Sequence, residues 1–207
     1  VPLDLWLAFV VASTALLMMP GPTVMVVVGY ALSHGRRSAW PSVSGLVLGD
    51  LAAMTVSLAG LGAVLATSAL AFTVLKWVGA VYLIYLGIKS WRSAGTTDTE
   101  VMEPALDGSR RIFLRAFLVT AMNPKSIAFF IAFLPQFVSH GAPALPQFVA
   151  LGVTFLTLAL VNGVAYAWLA SGLRRAVLSG RGLRNVRRVG GGCLIGAGIA
   201  TAAMSRG

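Results

Sequence analysis

Long stretches of this 207-residue chain carry no charge at all, and that constrains its fold more than any other feature. Residues 5–35, 51–75, 126–173 and 189–205 contain no Asp, Glu, Lys or Arg. A bilayer core is spanned by about 20 apolar residues in a helix. The run 126–173 is long enough for more than one crossing, and its centre, Ser139-His140-Gly141-Ala142-Pro143, reads as a turn. Only 11% of the residues are charged, against about 25% in a soluble domain. Water solvates such a surface poorly and lipid solvates it well. The runs are continuously apolar, whereas barrel strands would alternate over about 10 residues. The expectation is an all-α integral membrane protein with the bilayer as its solvent.

Six spans are predicted, over about 4–33, 41–67, 70–91, 112–138, 145–172 and 189–205. The first is read as a membrane helix and not as a cleavable leader, because no basic segment precedes it. The sixth is short and glycine-rich, so whether it crosses fully stays open. The net charge of +10 could suggest nucleic acid, but the basic residues sit in short clusters between apolar runs. Thirteen of the sixteen Lys and Arg follow spans one, three and five: Arg36, Arg37; Lys89, Arg92, Arg110, Arg111, Arg115; Arg174, Arg175, Arg181, Arg184, Arg187 and Arg188. The positive-inside rule puts these loops in the cytoplasm and both termini outside. Residues 93–109 hold four of the six acids without apolar periodicity, so 93–111 is read as a flexible cytoplasmic linker. It separates two three-helix halves, 1–92 and 112–207, of a single membrane domain.

The halves resemble each other. Span three (Val78-Gly79-Ala80-Val81-Tyr82-Leu83-Ile84-Tyr85-Leu86-Gly87-Ile88) matches span six (Val189-Gly190-Gly191-Gly192-Cys193-Leu194-Ile195-Gly196-Ala197-Gly198-Ile199) at six of eleven positions. Span one is interrupted by Pro20-Gly21-Pro22 and span four by Asn123-Pro124-Lys125; Asp50 of span two stands against Asn162 of span five. Three spans per half make the second half start from the opposite side, which gives a 3+3 inverted repeat with helices one and four broken. Interrupted helices at matching places point to a midplane binding site.

Prolines on both sides of Gly21 break a helix and free backbone groups, which must find protein, water or ligand inside a membrane. Asp50 is the one acid deep inside the bilayer region, at a cost of about 2.5–3.5 kcal/mol at a helix centre. It lies about 14 Å in from Pro41, and Lys125 lies about 15 Å in from Arg115. Equal depth permits an ion pair between them, and it equally permits each to meet a substrate. Asn123 offers an amide beside the break; Asn162 serves function or a helix–helix bond equally well. Gly45 and Gly49 read as a close-packing face. Cys193 is alone, which leaves no disulfide, dithiol pair or Cys-based zinc site, and neither His34 nor His140, both in expected turns, reads as a metal ligand. No cofactor is expected.

The motifs Pro20-Gly21-Pro22 with Thr23, Gly49-Asp50, the Gly79–Gly87 run, and Asn123-Pro124-Lys125 followed by Phe133-Leu134-Pro135-Gln136-Phe137 together resemble the LysE/RhtB family of bacterial amino-acid exporters, over nearly the whole chain. The resemblance implies a secondary transporter in the bacterial inner membrane. It would export a small amino acid, with the proton as coupling ion, by alternating access. It implies roles in transport for the matching Asp50 and for the two break motifs, and the NPK form is nearer the homoserine/threonine and neutral amino-acid branch. The small-residue faces allow a homodimer. The alternatives are a membrane-embedded enzyme, for which only a Ser/Lys pair such as Ser126 or Ser44 with Lys125 is on offer, and a non-transporting assembly subunit.

Overall fold

The computed structural model describes residues 1–67, 108–139 and 141–172, scattered helical positions between 70 and 92, and residue 195. The described residues are helical or in turns, with no strand among them. Helix α1 spans Leu3–Met18 and α2 spans Pro22–His34. A 3-10 turn over Gly35–Ser38 leads into α3, Ala39–Thr67. Then follow α4 (Ser109–Ala121), α5 (Pro124–Ala132), a second 3-10 turn (Leu134–Phe137) and α6 (Ala144–Gly172).

The boundaries follow from local chemistry. Pro22 and Pro124 each open a helix at the position where a missing N–H costs nothing. Gly35 adopts φ +65°, which turns the chain between α2 and α3. His34, expected in that turn, is instead the last residue of α2, with its ring 5.7 Å from that of Tyr30. The Ser139–Pro143 turn is held by Gln147, whose side chain accepts from the Ser139 N–H and donates to the carbonyls of Ser139, Ala142 and Pro143. His140 lies outside the described residues.

Two of these stretches, Pro22–Gly62 and Ala144–Ala170, are long and apolar enough to cross a membrane. The α4–α5 pair, bent by 46°, makes a third if it counts as one broken span. The outer faces of α3 and α6 expose Val56, Leu145, Val149 and Val153, each more than half accessible. Helices apolar on the outside as well as within belong to a membrane environment. Predicted spans two and five match α3 and α6 within two residues. Predicted span one is two helices, α1 and α2, and span four is α4, α5 and the 3-10 turn. Helix α4 starts at Ser109, three residues before predicted span four, because Gly108 accepts from the N–H groups of Arg111 and Ile112 and the buried Ile112 anchors the first turn. Arg110 and Arg111 oppose the helix dipole there, which is why they read as linker. Spans three and six and residues 93–107 lie wholly or largely outside the described residues.

The core is aromatic. Phe9 of α1, Phe129 and Phe130 of α5, Phe137 of the 3-10 turn and Phe155 of α6 are all buried. Ring pairs at 4.9–5.7 Å (Phe130–Phe155, Phe9–Phe137, Phe129–Phe155) join α5 to α6 and α1 to the 3-10 turn that follows α5. On the other side α3 lies directly against α4. A Cβ on Gly45 would fall 2.5 Å from the Phe113 carbonyl oxygen, and one on Gly49 would fall 2.7 Å from that of Phe117. The glycine face therefore sets a backbone-to-backbone approach beside Asp50.

Candidate functional site

Both helix breaks and Asp50 lie in one region. Helix α1 ends at Met18, and Pro20 and Pro22 cannot donate onward. Its last carbonyls would be left without partners in an apolar setting. Each is met. Asn162 Nδ2 donates to Leu17 O at 3.0 Å and Tyr166 Oη to Met18 O at 2.7 Å, both from α6. Lys125 Nζ donates to Leu16 O at 3.0 Å and Met19 O at 3.1 Å, from the first turn of α5. Gly21 lies under this ammonium: a Cβ there would sit 3.5 Å from Nζ, an ordinary contact.

The second break is a single capped step. The Asn123 side-chain oxygen accepts from the Lys125 N–H at 3.1 Å and caps α5, while its own N–H bonds Thr120 O. Its Nδ2 donates to Thr23 Oγ1 at 3.1 Å, and the Thr120 hydroxyl donates to the same oxygen at 3.3 Å. Thr23, in the first turn of α2, thus joins the two breaks.

Asp50 is 2% exposed in the middle of α3. Ser126 and Lys125, in the first turn of α5, are both near enough to act on the carboxylate. One of its oxygens, Oδ1, is buried without a hydrogen-bond partner. No direct ion pair joins Asp50 to Lys125: the ammonium is turned toward the α1 carbonyls. Of the two readings left open for Asn162, the structure shows the bond to a neighbouring helix. The Lys125 ammonium is bonded to α1 carbonyls and not to Ser126. Among the described residues no cluster of metal-ligating side chains occurs.

Pro20, Gly21, Pro22, Thr23, Gly49, Asp50, Asn123, Pro124 and Lys125 therefore belong to the two breaks or to the α3 face beside them, and Asn162 reaches the first break from α6. Sequence reasoning missed Tyr166, Thr120 and the part played by Ser126. The signal for Tyr166 was present: it follows Asn162 by four residues, on the same helical face.

The family of LysE type translocators matches residues 14–205. The chain belongs to the LysE family. It is 37% identical over 200 residues to a homoserine/homoserine lactone efflux protein of Salmonella typhimurium, covering 95% of this chain and 96% of the relative. It is 33% identical over 202 residues to an uncharacterized membrane protein of Vibrio cholerae, with 95% and 96% covered. A leucine efflux protein of Salmonella choleraesuis is 30% identical over 145 residues, 68% of this chain and 66% of that one. No solved structure matches it. A LysE family member built of apolar helices is a multi-pass membrane protein, and the Salmonella relatives described above are named for efflux.

Proposed function

We propose that this LysE family chain exports a small neutral amino acid, homoserine or its lactone, across the bacterial inner membrane. A homoserine/homoserine lactone efflux protein is 37% identical over 95% of this chain, and the leucine efflux protein matches only about two thirds of it. The observation that carries the mechanism is a buried carboxylate, Asp50, with one unpartnered oxygen beside two broken helices. Intramembrane acids mark ion and substrate pathways. The positive N-terminal ends of α2 and α5 suit a substrate carboxylate. The free Asp50 oxygen suits a substrate ammonium group, or a proton while the carrier resets. Protonation removes the deep charge and shifts the balance between inward and outward forms.

Within this reading the chain is a 3+3 inverted repeat of six spans, with 93–111 as cytoplasmic linker and both termini outside. A homodimer is compatible with its small-residue faces. Radiolabelled homoserine counterflow in proteoliposomes, with leucine as the competing substrate, tests it. Wild-type exchange of homoserine, reduced roughly tenfold or more in Asp50→Asn, is expected. Undiminished exchange in that variant removes Asp50 from the mechanism.

A further inference from the structure

The Lys125 ammonium is held as a bound cation would be held. Its two acceptors, Leu16 O and Met19 O, are backbone carbonyls at the C-terminal end of a broken membrane helix, 3.0 and 3.1 Å from Nζ. Such ends carry partial negative charge, and in broken-helix carriers unwound carbonyls are where a coupling cation sits. Asn162 and Tyr166 engage the two carbonyls in between, Leu17 O and Met18 O, and so fix the end of α1 in place. Asp50 adds negative potential from α3 without touching the ammonium.

We propose that the carbonyl end of α1 is a site for a small monovalent cation, and that Lys125 fills it as a cation tethered to the chain. A carrier with its own ammonium in this position has no need of sodium or potassium there. With the side chain shortened, the carbonyls remain and accept a free cation instead. The class of ligand is set by the acceptors: neutral carbonyl oxygens, spaced for one ammonium, take Na⁺, K⁺ or a primary ammonium. They do not take a quaternary ammonium, which has no N–H to donate and a wider radius. The site itself rests on this geometry alone; only its consequence for coupling rests on the exporter reading.

The test uses detergent-purified full-length protein, wild type and Lys125→Met, at constant total salt made up with tetramethylammonium chloride. Sodium, potassium or methylammonium chloride replaces it stepwise while Tm is followed. Lys125→Met gains a saturable rise of about 2–4 °C with at least one of the three, and wild type shows none. Parallel curves for the two proteins, or a flat response in the variant, overturn the proposal. If Lys125→Met does not fold, Lys125→Ala is titrated in its place. Failure of both to fold in every salt, methylammonium included, also counts against a site that a free cation can fill. Homoserine counterflow by wild type in sodium-free and sodium-containing media supplies the second readout. Equal rates are expected, and a sodium requirement overturns the tethered-cation role. Absence of counterflow in both media counts against export of homoserine and leaves the Tm titration to decide the site.

Discussion

The two breaks in the chain solve one problem in different ways. At Met19-Pro20-Gly21 the carbonyls of α1 are satisfied from outside, by Lys125 of α5 and by Asn162 and Tyr166 of α6. At Asn123 the helix end is satisfied from within, by one residue whose side chain caps α5 and whose backbone N–H closes the last turn of α4. The first break depends on how other helices are placed; the second stays intact wherever α4 and α5 go together. A break closed by remote donors opens when those donors move, so the end of α1 is the natural place for a conformational change to act. The second break then behaves as a fixed 46° elbow that carries Lys125 and Ser126.

The contrast is broken most severely by removing the remote cation. Lys125→Met leaves Met19 O without its one side-chain donor among the described residues and takes away a deep charge, and counterflow is expected to fall at least about tenfold. Retention of full exchange would mean that the α1 end does not need the ammonium. The next largest effect separates the two jobs of Asn123. Asn123→Ala removes the cap, which costs about 1 kcal/mol, and also the bridge to Thr23. Asn123→Ser keeps a capping oxygen and loses the amide that reaches Thr23. Thermal unfolding should therefore show Ser close to wild type and Ala lower. Counterflow should be reduced severalfold in both if the Thr23 bridge couples the breaks. If Ser restores exchange along with stability, the second break is a local elbow only.

This difference also explains what could be read from the residues beforehand. Proline and asparagine act on the backbone next to them, so both breaks were visible as Pro20-Gly21-Pro22 and Asn123-Pro124. Counting residues inward from Pro41 and from Arg115 put Asp50 and Lys125 at one depth, and Gly45 with Gly49 pointed to a close helix contact. The direction of the Lys125 side chain was not legible. Its acceptors are backbone carbonyls of residues 106 and 109 positions away, and no side-chain pattern encodes a carbonyl. Tyr166 escaped for a related reason: an aromatic in an apolar helix reads as packing until the acceptor for its hydroxyl is known. Arg110 and Arg111 placed the start of α4 too late, because charge at a helix start resembles a loop.

Tyr166→Phe isolates one remote donor without altering volume. Met18 O loses its 2.7 Å bond in a partly exposed position, so the expected cost is about 0.5–1.5 kcal/mol, read as a fall in Tm of a few degrees in detergent. Counterflow should fall less than in Lys125→Met, since Leu16 O, Leu17 O and Met19 O keep their donors. A Tyr166→Phe variant as inactive as Lys125→Met would show that the α1 end acts as one unit and not as four separate bonds.

The smallest effect is expected at Gly21, and it sharpens the comparison because it touches the first break without removing any donor. Gly21 has φ −130°, a conformation open to any residue, so alanine brings no backbone strain. The added methyl would lie 3.5 Å from Nζ and 3.8 Å from Cε of Lys125, both ordinary van der Waals distances. Stability of Gly21→Ala should stay within about 0.5 kcal/mol of wild type. Its glycine would then serve only to leave room for the ammonium to move. That room is tested by the rate of counterflow and not by Tm: a slowed exchange at unchanged stability means Lys125 leaves the carbonyls during each cycle. A loss of stability instead would mean that the packing around the break is tighter than these distances allow, and that the α1 end is a rigid element like the elbow at Asn123.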